Sequence, residues 1–270
     1  MGDRILFLGT GGDSIVIGKQ FRASGGIILE AEGNQIHIDP GPGALVLAKY
    51  YGVNLRENTA LFLSHNHLNH AGDANAVISA MTHNGLDKKG VLVASESCLN
   101  ATPDNEPFVH SFYKSCVERV ISVNPGSKIG INQLDIKIIK TKHLDTSGVG
   151  FKFYTPKFTL GYVSDTEYFN DLCEEYGNSD ILILNVTHPG SVKCPGSMNT
   201  ESATAFLQKT KPRLAIITHF GVKMLESDPL YEARELQKET GVQVIAAKDG
   251  MIISPETYSS EQRQKTLKSY

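Results

Sequence analysis

Apolar residues in this chain gather in short unbroken runs: Ile5-Leu6-Phe7-Leu8, Ala60-Leu61-Phe62-Leu63, Val91-Leu92-Val93-Ala94, Ile181-Leu182-Ile183-Leu184 and Leu214-Ala215-Ile216-Ile217. Four apolar residues bounded by turn-forming residues read as a buried strand. Residues 25–30 and 35–39 are β-rich and separated by Gly33-Asn34, which predicts a hairpin turning on that pair. The β pattern continues over 134–140, 150–154, 158–163, 242–247 and 251–253. Helices are predicted over 44–51, after the break at Asp39-Pro40-Gly41-Pro42-Gly43, over 73–81, with an acidic residue where the helix dipole favours it, and over 200–209, with Ser or Thr at its start. Residues 99–112 read as an irregular loop and helix. Strands interspersed with helices throughout, without linker, repeat or low-complexity stretch, predict a mixed α/β domain over 1–258 whose helices cover its sheets. Residues 259–270 form a polar tail, frayed or a surface helix.

Composition narrows the function classes. The 26 Lys and Arg against 29 Asp and Glu leave a net charge of −3, which argues against attachment to nucleic acid through bulk charge alone. The four cysteines (Cys98, Cys116, Cys173, Cys194) are too scattered for a disulfide scaffold and read as reduced, mostly buried thiols of a cytoplasmic protein. The apolar start is far too short to span a bilayer, and Gly9-Thr10-Gly11-Gly12 interrupts it where a signal peptide would continue. No membrane partner is expected.

Three of the nine histidines fall in Ser64-His65-Asn66-His67-Leu68-Asn69-His70, directly after a buried strand. A loop there points several imidazoles at one place, and neutral imidazole suits divalent zinc, manganese, iron or cobalt. His143, Asp165 and His219 each lie just beyond a predicted strand, so the edge of one sheet can gather them. Of the rest, His37 alternates with Ile36 and Ile38 and reads as a strand residue facing polar surroundings, and His83 and His110 read as solvent-facing. Lys19 and Arg22 read as solvated surface charges.

In their order, these residues resemble the metallo-β-lactamase superfamily, whose ligands run His-x-His-x-Asp-His, His, Asp, His. The resemblance covers nearly the whole chain, from Asp39 to His219. It implies a four-layer αββα sandwich with one or two divalent ions, zinc foremost, at one edge. His65, His67 and His143 would hold the first ion, Asp165 would bridge, and His70 and His219 would hold the second. Asp39 would orient ligands through hydrogen bonds. The sequence departs from the pattern at Asn69, where the family has an aspartate. An amide oxygen is a weaker ligand than a carboxylate, so a weakly held second ion and an anionic substrate are expected.

The opening Phe7-Leu8-Gly9-Thr10-Gly11-Gly12, then Gly25-Gly26 and Asp39-Pro40-Gly41, look like the phosphodiesterase branch that includes the tRNA 3′-processing endonucleases. That resemblance implies a metal-bound hydroxide attacking a phosphodiester, with nucleic acid or a smaller anion as substrate. The glycine loop reads as a sharp turn or as backbone N–H groups approaching an anion. The tRNA-processing enzymes carry His-Ser-Thr ahead of the late helix, where this chain has Met198-Asn199-Thr200. Asn199 cannot donate a proton as histidine does; His188, after a strand, reads as a satisfied loop histidine or as a replacement acid near the site. Hydrolysis of a carbonyl ester, lactone or thioester uses the same ligands. A third reading, prompted by Asn69 and Asn199, is an accessory or regulatory protein whose site has decayed. Two-fold dimers are the commonest soluble assembly, so a homodimer is admitted.

Overall fold

The computed structural model describes residues 2–101 and 105–260. Two sheets take up the apolar runs. The first contains β1 (Arg4–Phe7), β2 (Ile27–Ala31), β3 (Asn34–Ile38), β4 (Asn58–Leu63), β5 (Val91–Ser95) and β6 (Arg119–Val123). The second contains β7 (Lys128–Ile131), β8 (Leu134–Lys140), β9 (Val149–Tyr154), β10 (Thr159–Val163), β11 (Ile181–His188), β12 (Met198–Asn199), β13 (Leu214–Thr218) and β14 (Val244–Ala246). A last strand, β15 (Ile252–Ile253), returns to pair with β1. The orders are β15-β1-β2-β3-β4-β5-β6 and β14-β13-β11-β10-β9-β8-β7, with β12 on β11.

Helices α1 (Ser14–Gly18), α2 (Ala44–Tyr50), α3 (Leu68–Ala71), α4 (Ala74–Thr82), α5 (Glu96–Leu99) and α6 (Ser111–Cys116) accompany the first sheet; α7 (Asn170–Tyr176), α8 (Thr200–Thr210), α9 (Val222–Glu226) and α10 (Pro229–Thr240) accompany the second. The layering explains why the runs do not alternate. In β4, Ala60 and Phe62 face the layer between the sheets, while Leu61 and Leu63 face α2 and α4. In β11, Ile181 and Ile183 face the same central layer, while Leu182 and Leu184 face α7, α8 and α10. A strand covered on both faces needs apolar residues at every position. The order helix, sheet, sheet, helix is the αββα sandwich. Edge-to-face packing of Phe62 on Phe151, with centroids 5.1 Å apart, closes the central layer.

Several elements differ from expectation. The hairpin turns on Glu32-Gly33, one residue early, with φ of 50° and 74°, and Ala31 pairs with Asn34. Both central residues are left-handed, the geometry of a type I′ turn, and Asn34 begins the next strand. His37 does not face polar surroundings: it is fully buried among the apolar residues under α2, with Nε2 donating to the Gly25 carbonyl at 2.7 Å. His83 and His110 are exposed, as expected. Strands β6 and β7 and helices α7, α9 and α10 occupy segments the hydrophobic pattern left unassigned. All four cysteines are free; Cys98 and Cys116 are buried, whereas Cys173 and Cys194 are partly exposed. Ser259, placed in the tail by sequence, is buried, and its carbonyl accepts from Arg213; residues 261–270 of that tail lie outside the described residues. Among the described residues, no helix is long and apolar enough to cross a membrane.

Strands β3 to β6 run parallel, as do β10, β11, β13 and β14. Their carboxyl ends carry Asp39, Ser64 and His65, Asp165, His188 and His219, where open α/β sheets place ligands.

Candidate metal centre

The loop after β4 delivers His65 and His67, and α3, one short turn of helix, delivers His70. The loops after β8, β10 and β13 bring His143, Asp165 and His219 to the same place. His67 Nδ1 lies 3.0 Å from His65 Nε2 and 3.1 Å from His143 Nε2. His70 Nε2 lies 2.9 Å from His219 Nε2. Between these groups sits Asp165 Oδ2, 3.5 Å from His70 Nε2, 3.9 Å from His143 Nε2 and 4.0 Å from His65 Nε2. Its other oxygen accepts from Asn185 Nδ2 at 2.7 Å, which fixes the carboxylate's rotation. The sets His65, His67, His143 and His65, His70, Asp165 each gather their ligand atoms within 4.8 Å.

The outer partners decide which ring nitrogen faces inward. His143 Nδ1 donates to the Gly196 carbonyl at 2.6 Å, and His70 Nδ1 donates to Asp39 Oδ2 at 2.9 Å. Both acceptors lack protons, so Nδ1 keeps the proton in the neutral form of each ring and Nε2 is the nitrogen left to bind an ion. Ser64 Oγ spends its one hydrogen on Asp39 Oδ2 at 2.6 Å. It can therefore only accept from His65 Nδ1 at 2.9 Å, and His65 Nε2 too is left to bind an ion. Ring nitrogens held about 3 Å apart must share protons or surround a cation, and this donor set fits a divalent ion.

Charge points the same way. Burial works against a proton on His70, yet Asp165 and Asp39 outweigh it and push its pKa up to about 10. Burial lowers His219 to about 4 and, with the neighbouring imidazoles, holds His65 well below its usual value. Although burial opposes ionisation of Asp165, His219 and His70 keep it well below the usual carboxylate range. The protein thus concentrates its carboxylate field on His70, while burial favours the neutral, ligating form of His65, His67 and His219.

Asp39 is the hub of the support. Its carboxylate accepts from the Ser64 backbone N–H at 2.7 Å, Ser64 Oγ, His70 Nδ1 and, across the sheets, the Tyr162 hydroxyl at 2.7 Å. Tyr162, Ser64, Asn185 and Gly196 orient ligands, and no sequence spacing announces them, since each reaches its partner only through tertiary contact. Asp145 anchors the histidine loop by accepting from the Asn66 N–H at 2.9 Å and Ser97 Oγ at 2.6 Å.

Of the other candidates, Asn69 borders the cluster and Asn199 stands apart from it. Asn69 Nδ2 donates to the Gly12 carbonyl at 3.0 Å and lies 2.9 Å from His219 Nε2. Asn199 caps α8, its Oδ1 accepting from the Ser202 N–H at 2.9 Å and its Nδ2 donating to the Val192 carbonyl. Aligned residue by residue, Met198 and not Asn199 stands opposite the histidine of His-Ser-Thr, and Met198 is fully buried. His188 ends β11 half-buried; burial, helped by Lys223, lowers its pKa. Lys19 is exposed and Arg22 half-buried. In the glycine loop, Gly11 N–H donates to Ala23 and Gly12 N–H to Phe220, so neither is left for an anion. The loop instead brings its backbone against His219: a Cβ on Gly12 would fall 2.1 Å from the His219 carbonyl oxygen.

The fold and this centre define a metallo-β-lactamase-fold protein, and residues 34–220 match the family model described as the beta-lactamase superfamily domain; the chain belongs to that family. Among relatives, it is 33% identical over 249 residues to an uncharacterized protein of Methanocaldococcus jannaschii, covering 92% of this chain and 93% of that protein. It is 27% identical over 154 residues to ribonuclease Z of Methanopyrus kandleri, covering 56% of this chain and 50% of that protein. Among solved structures, the metallo-beta-lactamase fold protein YhfI of Bacillus subtilis superposes with a TM-score of 0.75 at 19% identity, over 93% of this chain and 98% of that one.

Proposed function

We propose that this chain is a metal-dependent phosphodiesterase, with nucleic acid as the leading substrate class. The observation that carries it is the convergence of five imidazoles on a single carboxylate, Asp165. His65, His67 and His143 would hold a first divalent ion and His70 and His219 a second, with Asp165 between the two sets. When bound, such ions acidify coordinated water and stabilise charge on the oxygens of a phosphoryl group. Two dications against one anionic ligand leave the site positive, which suits a substrate that is itself an anion.

The residues around the ligands do the positioning. Asp39, through Ser64 and directly, fixes the rings of His65 and His70; Gly196 fixes His143; Asn185 fixes Asp165. Beside His143 opens a groove of about 460 Å³ lined by Lys140, Lys142, Thr146, Glu167 and Gly196, whose two lysines attract a phosphate-bearing flank. Similarity to ribonuclease Z supports nucleic acid as the material cleaved. His188, largely neutral at pH 7 because its pKa is lowered, is not assigned the role of acid.

The test is a panel: protein stripped with chelator, reloaded with zinc, manganese or cobalt, and offered a chromogenic phosphodiester, a short RNA, a lactone and a thioester. Phosphodiester cleavage that disappears in His67→Ala is expected. Turnover confined to the lactone or thioester would refute the proposal.

A further inference from the structure

Position 69 is where the family pattern has an acidic ligand, and the amide there is tied in a way a carboxylate would not be. Nδ2 of Asn69 lies 3.0 Å from the Gly12 carbonyl oxygen. That oxygen only accepts, so the amide group must present its nitrogen; Oδ1 in its place would set two acceptors against each other. The Gly12 backbone has little room to withdraw, since its N–H is bonded to the Phe220 carbonyl and its Cα abuts His219. The same nitrogen lies 2.9 Å from His219 Nε2. An amide nitrogen carries two hydrogens: one goes to Gly12, and the other faces His219 Nε2, which is the bare nitrogen when Nδ1 keeps the ring's proton toward Asp165 Oδ1, 3.4 Å away. An ion taking that nitrogen's lone pair would leave the second hydrogen directed into the site without a partner, and its complement is an oxygen bearing negative charge.

We propose that Asn69 is a hydrogen-bond donor to an anionic oxygen of the substrate at the second metal position, and not a ligand to the ion. This deepens the phosphodiesterase reading and rests on it. The substitution of amide for carboxylate removes a negative charge and turns an acceptor into a donor. Both changes favour a substrate with a free phosphoryl oxygen over a neutral ester.

The experiment uses zinc and inorganic phosphate as probes and does not depend on turnover. Calorimetric titration of zinc into metal-free protein, and of phosphate into the zinc-loaded protein, is carried out on the native chain, Asn69→Ala and Asn69→Asp. Asn69→Ala is expected to keep the native zinc stoichiometry, with affinity within about threefold, while phosphate binds at least about tenfold more weakly. Asn69→Asp, of nearly the same shape, is expected to bind the second zinc more tightly and phosphate more weakly, and it decides the matter if the alanine variant does not fold. Loss of a zinc equivalent in Asn69→Ala, or unchanged phosphate affinity in the variants, would overturn the assignment. A protein that shows the Asn69-dependent phosphate binding but cleaves only lactones would keep the donor and refute the phosphodiesterase.

Discussion

Protonating His37 should cost this protein a measurable part of its stability. The ring lies fully buried among apolar side chains, its Nε2–H bonded to the Gly25 carbonyl at 2.7 Å and its Nδ1 without a hydrogen-bond partner. A second proton would go on Nδ1, placing a cation where nothing accepts from it. Burial therefore lowers the pKa from 6.5 to about 4, against the smaller opposing effects of the Gly25 bond and the Asp39 charge. Between those two values the unfolded chain binds a proton at this position that the folded chain does not, so stability falls as pH falls. The loss starts near pH 6.5, amounts to about 1.4 kcal/mol per pH unit and reaches about 3 kcal/mol near pH 4. Urea unfolding of chelator-treated protein at steps from pH 7.5 to 4.5, compared with His37→Gln, isolates this contribution. The glutamine amide can keep the Gly25 bond but does not titrate, and the titration of the centre's own histidines is common to both proteins. The native protein should lose stability more steeply than the variant below pH 6.5. Parallel curves would refute the reasoning.

Two further substitutions separate ligand support from local structure. Asp39→Asn should weaken metal binding about 10- to 100-fold, because it removes the anion that fixes His70 and, through Ser64, His65; calorimetry of zinc binding measures it, and unchanged affinity would show that the rings orient without Asp39. Asn199→Ala should cost about 1 kcal/mol in denaturant unfolding through loss of the α8 cap, with zinc affinity unaltered; a change in zinc binding would place Asn199 in the centre after all.

What the sequence makes legible follows from how locally each feature is encoded. The doubly covered strands are written in single apolar runs, so β4, β5, β11 and β13 can be read directly, and the ordered ligand residues lie at strand ends where spacing exposes them. Strands β6 and β7 are less legible because much of their surface is exposed and their residues are mixed. Helix α10 carries its own punctuation, Asp228-Pro229 at the start and left-handed Gly241 at the end, but its buried stripe is thin, resting on Pro229, Glu232, Ala233 and Leu236. The turn at Glu32-Gly33 shifts by one because the pairing of Ala31 with Asn34 is set by which faces of β2 and β3 are buried, not by the most turn-prone dipeptide. His37 illustrates the same limit: alternation shows that it faces away from Ile36 and Ile38, and only the packing of α2 over that side makes the opposite face dry.

The six proposed ligands come from both sides of the sandwich. His65, His67 and His70 hang from the first sheet, while His143, Asp165 and His219 hang from the second, and the Tyr162 hydroxyl on Asp39 spans the same boundary. Each proposed ion would draw ligands from both sheets and so act as a clasp across the seam between two halves of the chain. Its binding energy then adds to the folding energy, since neither half alone offers a complete set of ligands. Metal supply would set not only whether this protein works but how long its halves stay shut, and a chelator would loosen the whole sandwich from that edge inward.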